Sequence, residues 1–198
     1  VAFSPTLSDT KNLMNDFLLH AIHYMKCCGF KINETKTELM IFNSKCIPTF
    51  INTPAGKVSP QSQIKLLGLR FDSQLTFKPQ IVHSSQMLKR NYFNVLSLKG
   101  LGSTQAQLQV AFAGHSGIYQ YGFSVIPKLS VQSYNLLQVE VNKIIRLIYN
   151  IHFDKVERKH LSQRQLLESH NWCPVYITHI KLALMNLNNI FRTKNPPA

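Results

Sequence analysis

The character of the sequence changes between Asp72 and Pro79, and this change constrains the fold more than any other feature. Before it, short apolar runs are separated by Gly, Pro and Asn, a pattern typical of strands and tight turns. After it, apolar residues recur at intervals of three and four, which indicates helices. We therefore predict an α+β fold in two domains, a mixed domain over 1–76 and an all-helical domain over 77–198.

The first domain is predicted to hold one helix and a small antiparallel sheet. The helix runs from about Ser8, a good N-cap residue, to Cys28, and Gly29 provides its C-terminal stop. The strand candidates are Val1–Ser4, Glu38–Asn43, Thr49–Asn52 and Ile64–Asp72, with a small hairpin around Pro54–Val58.

The second domain is predicted to be a helical bundle, because each of its helical stretches begins at a capping residue or at a proline. The predicted helices run from Pro79 to about Leu98, from a Thr104–Gln107 capping box to a point before Pro127, from Ser130 to about Tyr149, from a Ser162–Gln165 capping box, and from Pro174 through Phe191.

The net charge of +13 indicates a polyanionic partner, of which nucleic acid is the usual one. Between Cys46 and Ser130 there are eight Lys or Arg residues against one acid, Asp72, so a polyanion would meet the middle of the chain first. An anionic membrane surface is the weaker alternative, since no single helix concentrates the cations. The four cysteines match neither a disulfide framework nor a standard zinc spacing, which fits an intracellular protein.

Three stretches, in order, resemble the reverse transcriptase of non-LTR retrotransposons, the LINE and jockey-like elements. They are GFKINETKTELMIF at 29–42, KLLGLRFDSQLTFKPQI at 65–81 and LLESHNWCPVYITHIK at 166–181, with a weaker match in YQYGFSVI at 119–126. The first is similar to the fourth palm motif of that family, the second to the run that contains its primer grip, and the third to a signature late in the polymerase. The resemblance spans nearly all of the chain.

This resemblance implies the end of a polymerase palm over 1–76, followed by a thumb and connection region over 77–198. The partners it implies are an RNA template, an RNA–DNA duplex and the upstream fingers and palm of the same polyprotein, without a membrane. The expected location is nuclear and cytoplasmic. Four positions depart mildly from the family pattern: Gln80, Ile126, Asn171 and Cys173.

The larger departure concerns the metal-binding Tyr-x-Asp-Asp box, which the family would place immediately before Val1. The chain lacks a start Met and begins as if inside a strand, so we expect a fragment. The parent family uses Mg²⁺ held by Asp carboxylates, and we expect no metal ligands in this chain. The chain alone is therefore expected to be inactive as an RNA-directed DNA polymerase.

Lys36 is the candidate catalytic residue. By resemblance, the fourth palm motif places a Lys near the incoming triphosphate, where it could neutralise charge on the leaving pyrophosphate or donate a proton. The alternative is an ordinary solvated lysine in the turn after Asn33.

The remaining candidates would bind nucleic acid. Leu67 and Gly68 resemble the primer grip, and a Gly inside a strand marks either close approach of another molecule or a bulge without a ligand. Arg70 alternates with apolar neighbours and should point away from the core. Lys89, Arg90 and Lys99 are candidates for phosphate contacts that position a duplex without reading its sequence.

Aromatic residues of the thumb could stack on bases, but the helical spacing of Tyr92 and Phe93 favours the core, and Trp172 is predicted to be a packing anchor. Two other classes of function stay open. One is a non-catalytic, basic nucleic-acid-binding module, and the other is a decayed remnant of a retroelement held only by its core.

Overall fold

The computed structural model describes residues 7–31, 33, 36–42, 50–53, 56–101, 103–123, 125–126, 129–151 and 162–193. The predicted α+β class is confirmed, and most of the described residues are helical. The elements are α1 (Leu7–Cys27), β1 (Ile51–Thr53), β2 (Gly56–Val58), β3 (Gln63–Leu66), β4 (Leu69–Asp72), α2 (Lys78–Ser97), α3 (Thr104–Phe123), α4 (Val131–Ile148), α5 (Gln163–Ser169) and α6 (Val175–Thr193). The strand predicted at Val1–Ser4 lies outside the described residues.

The chain divides into two compact units, Val1–Thr76 and Phe77–Ala198. The first unit contains α1 and the four strands, and the second contains the other five helices of the described ranges.

Helix α1 ends as predicted but begins earlier. Gly29 adopts a left-handed conformation with φ of 77°, and the Phe30 amide donates to the carbonyl of Met25 at 2.8 Å, which closes the helix C-terminus. The prediction of Ser8 as N-cap is wrong, because the helix already includes Leu7 and Ser8 lies in its first turn.

The strands form two antiparallel hairpins. In the first, β1 pairs with β2 with Ile51 opposite Val58, which confirms the hairpin predicted there. In the second, β3 pairs with β4, so the prediction of one continuous strand over Ile64–Asp72 is wrong. The strand predicted over Glu38–Asn43 is also wrong in its described part, where only Leu39 forms an isolated bridge, with Pro60.

The core of the second unit lies where α2, α3 and α4 meet, with α2 packed on both of the others. Apolar side chains at helical spacing on each helix are removed from solvent, as the sequence pattern predicts. The fully buried side chains include Leu88 and Val95 of α2, Leu137, Val141, Ile144 and Ile145 of α4, Leu166 of α5 and Val175 of α6.

Side chains cap three of these helices. Ser130 accepts the Ser133 amide at 3.2 Å, and Ser162 forms a reciprocal capping box with Gln165, which confirms both predictions. For α3 the predicted cap is wrong by one residue, since Ser103 rather than Thr104 accepts the amide of Ala106.

The first turn of α6 is fixed by a buried side chain of α4. The Gln138 Oε1 atom accepts the Val175 amide at 2.9 Å, and its amide nitrogen donates to Asn142 Oδ1 at 2.8 Å. An amide at a helix N-terminus has no partner within its own helix, so Gln138 takes the place of a local cap. Among the described residues, no helix is both long and apolar enough to cross a membrane.

Candidate nucleic-acid interface

Lys36 and its neighbour Thr37 are both bonded to the carbonyl of Asn33. The Lys36 amide donates to the Asn33 carbonyl at 3.2 Å, and the Thr37 hydroxyl donates to the same carbonyl at 3.2 Å. The Lys36 side chain is exposed. Three residues later, the carbonyl of Leu39 accepts the amide of Gln61 at 2.8 Å, which ties this segment to the chain just before β3.

Leu67 and Gly68 form the two-residue turn between β3 and β4, so the prediction that Gly68 lies inside a strand is wrong. Both residues have positive φ, 49° for Leu67 and 88° for Gly68, as the tight turn of a two-residue hairpin requires. A Gly adopts this conformation without steric cost, which explains its place here. Leu67 is 81% exposed, so the hairpin presents an apolar tip.

Arg70 lies directly opposite Lys65 in the β3–β4 register. Opposite residues of an antiparallel pair project from the same face, so the hairpin places two cationic side chains next to each other there. Lys65 is exposed and Arg70 is half-buried, with buried Leu69 on the other face of β4. Sequence reasoning missed Lys65 because it treated β3 and β4 as one strand, although a Gly between two apolar runs is a hairpin signal.

Asp72, the one acidic residue between Cys46 and Ser130, forms hydrogen bonds with a nearby residue of the chain. Its Oδ2 atom accepts the Thr76 hydroxyl at 2.6 Å and the Thr76 amide at 3.1 Å. These bonds fix the turn that leads from β4 toward α2. The carboxylate therefore stabilises the chain where its structure changes from strand to helix.

The exposed face of α2 gathers two cations and an aromatic ring. Lys89 and Arg90 are exposed, and Phe93 is 63% exposed, four and three residues further along. Residues separated by three or four positions lie on one face of a helix. The prediction that Phe93 belongs to the core is therefore wrong, whereas Tyr92 is half-buried and meets the Phe93 ring edge-on at 5.6 Å.

The opposite face of α2 holds the helix in place. Leu88 and Val95 are fully buried, and the amide nitrogen of Asn91 donates to the Ala111 carbonyl of α3 at 3.2 Å. Within the described residues, neither Lys89 nor Arg90 forms an ion pair, although the Arg90 guanidinium lies 3.8 Å from the Met87 sulfur. Both cations can therefore contact an anion, and the helix that carries them is held in place by its buried face.

Lys99 follows the last residues of α2, where its amide donates to the Leu96 carbonyl at 2.9 Å. Its side chain is exposed, and Gly100 after it has φ of 87°, so the chain turns away there. A cation near a helix C-terminus interacts favourably with the helix dipole, which provides a local reason for a lysine at this place.

Trp172 and Val175 of the NWCPV stretch are buried in the helical unit, which confirms the prediction that Trp172 is an anchor, whereas Asn171 and Cys173 are exposed. The Trp172 ring stacks on Phe112 with 4.6 Å between centroids and meets His115 edge-on at 5.5 Å. Burial lowers the pKa of His115 from 6.5 to about 4, so this imidazole is neutral at physiological pH.

His179, from the same 166–181 stretch, is also buried. It connects α6 with α4 and with the chain between α3 and α4. Its Nε2 atom donates to the Ile126 carbonyl at 2.9 Å, so Nδ1 accepts from the Tyr134 hydroxyl at 2.6 Å. Both ring nitrogens of His179 therefore form hydrogen bonds within the helical unit. Among the described residues, no group of three or more His, Cys, Asp or Glu is placed to hold a metal ion.

The structure arranges the candidates in two groups, one in each unit. The β3–β4 hairpin carries Leu67, Gly68 and Arg70 with Lys65, and α2 carries Lys89 and Arg90 with Phe93. Comparison of the chain with protein-family models, with curated proteins and with solved structures gives no match.

Proposed function

We propose that this chain binds the backbone of an RNA–DNA or RNA–RNA duplex, as the end of the palm and the thumb of a non-LTR retrotransposon reverse transcriptase. The observation that carries the proposal is the face of α2 on which Lys89, Arg90 and Phe93 lie together in solvent. The net charge of +13 and the order of the three motifs support it.

The chemistry of this face suits a duplex of any sequence. Lys89 and Arg90 can neutralise phosphates, which gives affinity without sequence preference. Every base has an aromatic face, so the Phe93 ring can stack on an unpaired base with little regard to its identity. A polymerase needs both properties, because it must accept any template.

The β3–β4 hairpin is proposed as a second contact with the backbone. The register places the cationic side chains of Lys65 and Arg70 on the same face of the hairpin, where they would contact backbone phosphates. The exposed Leu67 tip would then lie against the sugar and base edges of the same strand.

Lys36 is proposed to contact the triphosphate of an incoming nucleotide, where its ammonium would offset the phosphate charge. Among the described residues, no group of three or more His, Cys, Asp or Glu side chains is placed to hold Mg²⁺, and Asp72, Glu140 and Glu168 are each bonded to a neighbouring side chain. We therefore derive no catalytic step that passes through the metal.

Helix α1 supports the proposal that further parts of a palm are partners of this chain. It leaves large apolar side chains exposed, among them Phe17 at 63% and Tyr24 at 67%. In a folded polymerase this apolar surface would be buried, and the upstream fingers and palm of the same polyprotein would pack against it.

The second candidate function is a non-catalytic module that binds nucleic acid by its charge alone. The Asp72 carboxylate accepts hydrogen bonds from Thr76 and stabilises a turn, which is a structural role. This favours the non-catalytic module as the function of the isolated chain. Such a module would bind through the same α2 face, so both candidates share the following prediction.

Replacing Lys89 and Arg90 by Ala is expected to weaken binding to an RNA–DNA duplex roughly tenfold or more, because two charged contacts are removed. The measurement is fluorescence anisotropy of a labelled hybrid at fixed, low ionic strength. The slope of log affinity against log salt should become shallower by nearly two, one phosphate for each cation lost.

The matched control is Lys143→Ala with Arg164→Ala, which removes the same formal charge from the same unit. Both of these cations are already paired, to Glu140 at 3.0 Å and to Glu168 at 2.7 Å. The control is expected to lose much less affinity. Equal losses in the two double variants would mean that only net charge matters, and would refute a specific α2 interface.

A further inference from the structure

Helix α6 has two apolar faces, and only one of them is covered. On the covered face Val175 and His179 are buried, and the helix packs on α3 and α4. The other face exposes large apolar side chains at 38% to 79% of their area, which are Tyr176, Ile177, Ile180, Leu184, Met185, Leu187 and Phe191. A surface helix normally has a single apolar stripe, so the second one calls for a partner.

The spacing of the exposed residues specifies the shape of that partner. Ile177, Ile180, Leu184, Leu187 and Phe191 recur at alternating intervals of three and four, which is the heptad pattern of a coiled-coil seam. An open groove runs along this seam, with Lys181 and Asn188 among the residues that line it. Grooves of this period receive the side chains of another helix that has the same repeat.

We propose that this exposed face of α6, the α6 seam, pairs with the α6 seam of a second copy of this chain. The same patch then serves both subunits, as the two-fold symmetry of most homodimers requires. An aromatic side chain covers roughly 150–250 Å² and an aliphatic one somewhat less, so the exposed fractions amount to about 700 Å² per chain. A stable interface buries about 800 Å² per partner, and the exposed apolar area of the α6 seam is close to that value.

The charges of α6 also favour a second copy. The helix carries no acidic residue, and Lys181 is the one cation beside the seam, with Arg192 near the C-terminal end. An acidic partner helix or a nucleic acid would find few charges to meet there. Pairing of two apolar seams requires no complementary charge, and the chain-wide repulsion between two copies is screened by salt.

The test is the mass of the wild-type chain by sedimentation equilibrium, over concentrations from about 1 to 100 μM, where interfaces of this size dissociate. We expect the mass to approach twice 22.7 kDa as the concentration rises. The dimer should persist or strengthen between about 0.15 M and 0.5 M salt, whereas duplex binding should fall. A monomer at every concentration and salt would overturn the proposal and would mean that another segment or protein covers this face.

Leu184→Glu and its matched control Asn189→Glu place the same charge on the same helix. Leu184 lies in the seam and is 59% exposed, whereas Asn189 is exposed and lies outside it, so both variants are expected to fold. Leu184→Glu should be monomeric at all concentrations tested, and Asn189→Glu should dimerise as the wild type does. If Leu184→Glu dimerises as well as the control, the contact lies elsewhere and the proposal is wrong.

Discussion

Lowering the pH from above 6.5 to about 4 is expected to remove roughly 3 kcal/mol from the free energy of unfolding of the helical unit. The cause is His115, whose pKa burial lowers from 6.5 to about 4. Between these two values the unfolded chain binds a proton that the folded chain does not bind. The contribution of His115 is therefore fully present above pH 6.5, falls with the pH, and is lost below about pH 4.

Urea unfolding followed by tryptophan fluorescence can measure this effect, because Trp172 is the only tryptophan and lies against the His115 ring. The His115→Gln variant separates this residue from the carboxylates that also titrate in this range. Its unfolding free energy should change with pH by roughly 3 kcal/mol less than that of the wild type. Identical pH profiles for the two proteins would show that His115 is not held neutral by burial.

Gly114→Ala is expected to destabilise the helical unit by about 1–3 kcal/mol, as overpacking of a tight core does. A Cβ atom at this position of α3 would overlap the side chain of Asn91 on α2. Asn91 is buried and donates to the Ala111 carbonyl, so it cannot move aside without losing that bond. The substitution also gains helix propensity, which makes the observed loss a lower bound on the cost of the clash.

Gly117→Ala is the control for this substitution, one turn further along α3, where no atom beyond the adjacent residues and the local helix backbone lies within 4 Å of the added Cβ. It should stabilise the protein by about 0.5–1 kcal/mol through helix propensity alone. In a protein that already carries Asn91→Ala, Gly114→Ala should cost less than in the wild type, because the overlapping side chain is absent. Strictly additive effects of the two substitutions in thermal or urea unfolding would contradict the close α2–α3 approach.

The helices could be predicted from the sequence because their signals are local. Apolar spacing located α1, α2 and α6, and capping residues located α3, α4 and α5. The errors at Ser8 and Thr104 are shifts of two residues and one residue at helix starts, where boundaries are the least certain part of a helix assignment.

The hairpins were harder to predict because strand pairing depends on residues that are distant along the chain. Leu66 and Leu69 read as one apolar run, and the sequence signals the turn between them only by Gly68, a single glycine that a bulge would also explain. The apposition of Lys65 and Arg70 follows from that turn and could not be predicted without it.

The cations of the candidate interface on α2 were predicted from the sequence, but the exposed aromatic ring of Phe93 was not. Exposed lysines such as Lys89 follow from composition and helical phase, whereas the exposure of Phe93 depends on how α2 packs on α3 and α4. Helical spacing alone gave the wrong side for this ring. Burial of His115 likewise depends on the position of Trp172, which comes from a different part of the chain.

The central claim, that this chain holds a duplex by its phosphates, is tested most directly by the salt dependence of its affinity for RNA–DNA hybrids. Each phosphate neutralised by a protein cation contributes about −0.9 to the slope of log affinity against log salt for a B-form duplex, a value taken here as a guide for the hybrid. With contacts from Lys89, Arg90 and Lys99 of the helical unit, we expect a slope of about −2 to −3 and equal affinities for two hybrids of unrelated sequence. A slope flatter than about −1, or a strong preference for one sequence, would contradict the account.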